Sequence, residues 1–312
     1  MTNLEIISKD LLNQPERKKR RIPWMAVWFL APSIFSFLLF KYVPLFYAFF
    51  MSLFEYRIVN PPGTFVGFQN YASLLTSSYF WECFGNVLVF FLLYLGMTFW
   101  IPIMIALFIN TIRRGNKLLR ILYLIPSAIP VVSCLVLWKW MYNPGYGVFN
   151  YYLAKIGLGP FQWLNDPLFA KVAVVAPSMF GLAAGFSMGM NMLIYYSALQ
   201  SIPEEILEAA KIDGAGPWQR IFRIILPNIR FIIGMQFIIF VSSVFLMFDP
   251  MFVMTQGGPV NSTRVLSLLI YNKAFGYEMD YGMAGAISCV MFLMIAVVTY
   301  IQLHFSRKGN QG

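Results

Sequence analysis

The chain has 312 residues, of which 59% are apolar and 12% charged, and its mean hydropathy is +0.66. A water-soluble domain of this length needs far more charge to cover its surface, so that class is excluded. The net charge of +10 would suggest nucleic acid in a soluble protein, but the basic residues here lie between long apolar blocks, which points to a membrane.

The chain begins with a basic segment, 1–23, that carries the run Arg17-Lys18-Lys19-Arg20-Arg21. Such a run is retained in the cytoplasm by the positive-inside rule. The apolar stretch from Trp24 to Phe54 far exceeds the roughly 7–15 residues of a signal-peptide core. It is read as a retained first span. A helix needs about 20 apolar residues to cross the hydrocarbon layer, and the apolar blocks predict spans near 24–51, 85–109, 120–141, 169–198, 225–248 and 283–304. With a cytoplasmic start, the inner segments hold 16 of the 23 Lys and Arg residues, among them Arg113, Arg114, Lys117, Arg120, Lys211, Arg220, Arg223 and Arg230. That bias supports six crossings, cytoplasmic termini and a cell-membrane location. The expected fold class is an all-α polytopic membrane protein, with a six-helix transmembrane domain over 24–306 and a cytoplasmic tail over 307–312.

Three outer segments, near 52–84, 142–168 and 249–282, are too long to be mere connections. The second is expected to contain a short interfacial helix. Aromatics crowd these borders (Trp81, Trp138, Trp140, Tyr142, Trp163, Tyr277) and read as an interfacial belt. Prolines interrupt the spans at Pro32, Pro44, Pro102, Pro126, Pro130 and Pro177, and small residues cluster from Gly181 to Gly189. Kinks and close helix contacts explain these, and broken helices lining a cavity are the functional alternative. Cys83, Cys134 and Cys289 are scattered and the single His is His304, so neither a metal site nor a disulfide framework is expected.

The segment over 200–227, between the fourth and fifth spans, is the most informative. Ser201 and Glu204 have the spacing of a capping box, and Glu204 and Glu205 suit the positive end of a helix. Gly214 is placed to end that helix in the left-handed conformation, and Pro217 to keep it from resuming. The small side chains of Ala209 and Ala210 leave room for another protein, and Glu208 offers an ionic partner. A helix lying on a membrane surface would present basic residues. This one carries Glu204, Glu205, Glu208 and Asp213 against Lys211 alone, so a protein partner is the better reading.

Glu208-Ala209-Ala210-Lys211-Ile212-Asp213-Gly214-Ala215, followed by Gln219, Phe222 and Ile225-Leu226-Pro227, resembles the EAA loop of binding-protein-dependent ABC importer permeases. The chain is most similar to their carbohydrate-uptake branch, the maltose and glycerol-3-phosphate type. Leu137-Trp138-Lys139-Trp140-Met141-Tyr142-Asn143-Pro144-Gly145, Trp163 with Asp166-Pro167, and Thr255-Gln256-Gly257-Gly258-Pro259 agree with that branch. The resemblance covers roughly 25–305. It implies the type I importer permease fold and half of a translocation pathway. It further implies a second homologous permease subunit, two copies of an ABC ATPase and an extracytoplasmic solute-binding lipoprotein. ATP and Mg would be bound by the ATPase, with no cofactor in this chain. Helix 203–213 would be the coupling helix, with Glu204, Glu205, Glu208, Ala209, Ala210, Asp213, Gly214, Ala215 and Pro227 as coupling residues. The chain lacks the extra N-terminal spans and large periplasmic insert of the maltose-system subunit.

The spans show no ionisable side chain at mid-depth, where proton or ion coupling would place one. Neutral polar groups do occur at depth: Asn86, Ser187, Asn191, Gln236 and Ser242. They suit a neutral polyhydroxylated solute such as a sugar or oligosaccharide, and they would equally serve to hold helices together. No phosphate-binding Gly-x-x-x-x-Gly-Lys-[Ser/Thr] occurs, so ATP hydrolysis must come from a partner. A secondary transporter would need the missing mid-depth charges, and a membrane enzyme would need a polar catalytic cluster. A non-sugar solute such as a glycerol phosphate ester remains an alternative cargo.

Overall fold

The computed structural model describes residues 24–59, 61, 63–112, 114–181 and 188–308. Helices dominate, and the described residues pair as extended backbone only at two isolated bridges, Phe54–Phe65 and Arg57–Asp280. The chain divides into two compact units, one ending at Tyr47 and the other starting at Ala48.

The first unit contains α1 (Trp24–Phe37), a π-helical segment at Leu38–Tyr42 and the start of α2 (Val43–Ser52). The π segment has a local cause. Pro44 has no N–H, and its ring would strike the carbonyl four residues back, so the widened turn before it makes room.

In the second unit the connection after Ser52 folds back through α3 (Gln69–Thr76), where the Asn70 amide donates to the carbonyls of Ser52 and Phe54 at 2.8 and 3.0 Å. Next come α4 (Ser78–Met97) and α5 (Ile101–Thr111), joined through Thr98 and counted together as one apolar run of 34 residues. Pro102 falls in the first turn of α5, where a missing N–H costs nothing. Helix α6 (Asn116–Leu124) passes through a short 3-10 turn at Ile125–Ala128 into α7 (Val131–Met141), with a bend of 86°. Ile129 is extended there (φ −83°, ψ 136°), as the ring of Pro130 requires of its predecessor.

The second long connection holds the expected short helix, α8 (Val148–Lys155), and α9 (Pro167–Val175) follows. The Asp166 carboxylate caps α9 by accepting from the N–H groups of Leu168 and Phe169. The expected aromatic belt divides in two. Trp140 and Tyr277 are exposed, whereas Tyr142 is buried in the protein itself against Trp138, Phe149 and Trp163.

Past Gly181 the chain resumes as α10 (Met188–Gln200), then α11 (Glu204–Ile212) and α12 (Pro217–Arg220). A second π segment, Ile221–Ile225, precedes α13 (Leu226–Asn228) and Pro227, the same solution as at Pro44. Helix α14 (Arg230–Phe245) leaves at 72° to the helical run before it. The third long connection contains a π segment at Met251–Thr255 and α15 (Leu266–Phe275), whose Leu266, Leu268 and Leu269 are buried. Helix α16 (Tyr281–Lys308) ends the described chain.

Three helical runs are long and apolar enough to cross a membrane, Val27–Ser52, Ser78–Thr111 and Tyr281–His304, and the two bent pairs bring the count to five. The expected fourth span, 169–198, is not one helix. Pro167–Phe180 and Met188–Gln200 flank 182–187, which lie outside the described residues. The reason is local: Gly181 is left-handed at φ +76° and Pro177 sits one turn earlier.

The apolar interior falls into two clusters. The larger gathers Phe80, Phe90 and Phe99 with Val174, Phe240, Met251, Leu266 and Ile287. The smaller gathers Ile103, Ala106, Ile109, Met192, Tyr195, Leu199, Ile202 and Ile229. Their division follows the breaks. Tyr94 and Ile103 fall on either side of the α4–α5 junction, and Val175 and Met192 on either side of the break in the fourth segment.

Candidate functional site

Helix α11 carries exposed Glu204, Glu205 and Glu208, with exposed Asp213 just beyond its last turn. None of these acids meets a Lys or Arg of its own chain among the described residues, whose ion pairs are Arg57–Glu55 and Lys273–Glu278. The expected capping box does not form. Pro203 is the cap residue, and the Ser201 hydroxyl donates instead to the Ala198 carbonyl at 2.8 Å, closing the end of α10. Proline cannot offer the backbone N–H that a reciprocal box needs.

The other end behaves as the sequence implies. Gly214 has φ +76°, its N–H donates to the Lys211 carbonyl at 3.1 Å, and the Ala215 N–H reaches the Ala210 carbonyl at 2.9 Å. This pair of bonds is a Schellman termination. Pro217 does not stop the chain. It opens α12, whose Gln219 side chain accepts from the Gly216 N–H at 3.0 Å. Of the two alanines, Ala209 is exposed and Ala210 buried, so only Ala209 is free to face an outside partner. Leu207 packs on the smaller core cluster beside Ile225 and Leu226, and Pro227 enters α13 immediately after them. The inner face of α11 is therefore wired to α5, α10 and the base of α14, while its outer face is acidic and unpaired. Sequence reasoning missed the aromatic pair beside it: Trp218 and Phe222 stack 6.0 Å apart, 19° from parallel, and both are exposed.

Five neutral polar residues were candidates for a pathway. Asn191 and Gln236 are brought together, the Gln236 amide donating to the Asn191 carbonyl at 2.7 Å across α10 and α14, with both residues buried. Asn191 lies nine residues before the end of α10, or ~14 Å at ~1.5 Å per residue, about half of a ~30 Å hydrocarbon layer. Asn86 is elsewhere. Its amide donates to the carbonyls of Asn261 and Arg264 at 2.9 and 3.0 Å, tying α4 to the third connection. Ser242 bonds the Ile238 carbonyl of its own helix, and Ser187 lies outside the described residues.

The structure adds a second polar group, of which the sequence did not single out Tyr94, Thr98 or Ser178. Tyr94, Thr98, Ser178 and Ser243 border a cavity of about 10 Å³ with Phe240, Val244 and Met247, and the Tyr94 and Ser178 hydroxyls are 3.4 Å apart. That is room for roughly one water. Thr98 and Ser178 stand where the second and fourth helical segments are interrupted. Position relative to a break, which periodicity reports poorly, was the available signal. The cavity is bordered by Tyr94, Phe240, Val244 and Met247 of the larger apolar cluster, while the Asn191–Gln236 pair joins α10 to α14.

Residues 100–310 match the model of the family described as binding-protein-dependent transport system inner membrane component. The chain belongs to this family. It is the permease subunit of an ABC importer, and its helical architecture is the type I importer permease fold. It is 30% identical to the trehalose/maltose transport system permease protein MalF of Thermococcus litoralis, over 95% of this chain and 98% of that protein. It is likewise 30% identical to the sn-glycerol-3-phosphate transport system permease protein UgpA of Pectobacterium atrosepticum, over 93% and 97%. A chain of a bacterial alginate ABC transporter, solved in complex with an alginate pentasaccharide-bound periplasmic protein, superposes with a TM-score of 0.80 at 26% identity, covering 91% of this permease and 94% of that chain.

Proposed function

We propose that this permease forms half of the pathway of an ATP-driven importer for a sugar or oligosaccharide. It pairs with a second homologous permease, two copies of an ATPase and an extracytoplasmic solute-binding lipoprotein. The observation that carries the reading is the set of uncharged polar groups in the helical interior, the Asn191–Gln236 pair and the Tyr94–Ser178 cavity, in a permease whose relatives are named for transport of trehalose and maltose or alginate. Hydroxyl, amide and aromatic groups recognise a solute through its own hydroxyls rather than through a charge. The likeness to a glycerol-3-phosphate permease supports the alternative cargo. A phosphate ester calls for a cation beside it, and neither the pair nor the described lining of the cavity offers one.

In this reading the chain crosses the membrane six times, each bent pair and the interrupted fourth segment counting as one span. Residues 1–23 and the tail 307–312 are cytoplasmic, and 24–306 form the permease domain. The cavity residues Tyr94, Thr98, Ser178 and Ser243, with Asn191 and Gln236, line or support the route. Helix α11 is the coupling helix and seats its acidic face on the ATPase, which binds ATP and Mg.

Reconstitution of the four-part complex in proteoliposomes tests the cargo. Labelled maltose, trehalose and longer saccharides, each supplied with the cognate binding protein, should include one taken up on addition of ATP. Uptake of sn-glycerol 3-phosphate with no saccharide transported would overturn the sugar assignment. The purified chain alone should take no saturable label from a photoreactive ATP analogue. Orientation is read by single cysteines at Arg17, Ser262 and Lys308, of which only the one at 262 should react with an impermeant maleimide from outside.

A further inference from the structure

The turn over 256–264 is built at some conformational expense. Gln256, Val260 and Asn261 all hold left-handed backbone (φ 52°, 48° and 58°), as does Gly257 (φ 88°). A β-branched residue such as Val260 rarely adopts this region, so the surroundings must enforce it. They do. The Gly258 N–H donates to the Thr255 carbonyl at 3.0 Å and the Ser262 N–H to the Pro259 carbonyl at 2.9 Å. The buried Thr263 hydroxyl donates to the Gly258 carbonyl at 2.8 Å, and from α4 the Asn86 amide clamps Asn261 and Arg264.

This rigid turn presents two groups that the chain itself leaves unmatched. Val260 stands at its tip and is 84% exposed. Arg264 lies at its base with its guanidinium carbon 5.4 Å from the centre of the Tyr79 ring, and its enclosed Nε has no acceptor among the described residues. Gly257 leaves the slot for this side chain, since a β-carbon there would come within 2.9 Å of the Arg264 Nε. Burial holds the Arg264 pKa below its ordinary value, as expected for a cation taken partly out of water without a counter-ion. Lys273, in the same connection, is by contrast paired with Glu278.

We propose that the turn 256–264 is a preformed docking knob for the extracytoplasmic solute-binding protein, Val260 entering an apolar depression and Arg264 meeting a carboxylate on that partner. The assignment rests on the proposed orientation, which puts the third connection outside. A lipid headgroup needs no fixed backbone geometry to be bound, whereas a folded partner rewards a turn whose shape is set in advance. An unpaired guanidinium on a locked backbone suits a directional, bidentate carboxylate contact.

The test uses the assembled permease–ATPase complex in nanodiscs and reads the concentration of liganded binding protein that half-saturates ATP hydrolysis. Arg264→Gln and Val260→Asn should each raise it about tenfold, a typical loss for a central interface contact. Asn retains the left-handed backbone, so Val260→Asn removes only the apolar tip. Arg264→Lys should fall between wild type and Gln, and ATP hydrolysis without binding protein should be unchanged in every variant. Unchanged half-saturation in both variants, with wild type still stimulated, would overturn the docking assignment alone. Loss of the second permease on purification of either variant would also overturn it, placing the turn in the subunit interface. A wild-type complex that no binding protein stimulates would instead remove the importer reading on which the proposal rests.

Discussion

Replacing Gln236 by Leu should destabilise the permease by about 1–3 kcal/mol. The Asn191 carbonyl accepts from the Gln236 amide at 2.7 Å, and both residues are buried, so the substitution strands an acceptor where water is scarce. Leaving one buried polar group unsatisfied costs about 1–3 kcal/mol. Asn191→Leu should cost a similar amount by stranding the Gln236 donor. The double variant Asn191→Leu/Gln236→Leu removes both ends and should regain most of the loss, because two apolar groups of similar shape are nearly neutral there. Thermal unfolding of the assembled complex in detergent gives the stability cycle, and uptake in proteoliposomes gives the transport cycle. Recovery of both stability and uptake in the double variant assigns the pair to joining α10 and α14. Recovery of stability with uptake still lost assigns it to the route of the solute. Additive losses of stability would show that the two side chains are not coupled at all.

That pair also shows what the sequence could and could not display. Asn191 and Gln236 stood out because a polar side chain deep in an apolar block is rare, but nothing in the primary order said that they meet. Tyr94, Thr98 and Ser178 did not stand out. Hydroxyl residues are ordinary in membrane helices, since they bond back to their own backbone, as Thr98 does to the Tyr94 carbonyl at 2.8 Å. Only the breaks beside Thr98 and Ser178 set them on one cavity. The prolines announced that the helices are interrupted, yet their outcomes differ: a widened turn before Pro44 and Pro227, a sharp bend at Pro130, and a helix start at Pro102 and Pro217. Proline fixes φ and removes a donor, and the tertiary packing around it decides which resolution is used. Ser201 is the converse case, a good local signal overridden because its neighbour Pro203 became the cap. The Gly214 termination was legible because its cause is wholly local.

Substitution at the acidic helix should uncouple ATP hydrolysis from transport while leaving the permease folded. Glu208 is exposed and meets no Lys or Arg of its own chain among the described residues, so Glu208→Lys takes nothing from the fold. In the proposed contact with the ATPase it reverses a charge. Disrupting one desolvated charge pair at an interface weakens binding by about tenfold or more. Gly214→Val acts through the backbone. At φ +76° a β-carbon has nothing within 4 Å to strike, so the whole penalty is conformational, about 1–2 kcal/mol. Relief of that strain would undo the Ala215–Ala210 bond and redirect α12, which leads through the π segment at Ile221–Ile225 to Pro227 and the bend into α14. Leu207, Ile225 and Leu226 pack on the same smaller cluster as α5 and α10, so a displacement of α11 is delivered to the inner halves of the second, fourth and fifth segments together. Transport and substrate-stimulated ATP hydrolysis should both fall at least about tenfold in these two variants, with thermal stability close to wild type for Glu208→Lys. Glu204→Gln, at the exposed start of the helix, should be mild. Gly214→Asn should restore much of what Gly214→Val loses, because Asn tolerates the left-handed region that Val does not. Full transport by Glu208→Lys and Gly214→Val would separate α11 from coupling. A Gly214→Asn variant as defective as Gly214→Val would show that the open space beside this glycine, rather than its backbone angle, is what the assembled transporter needs.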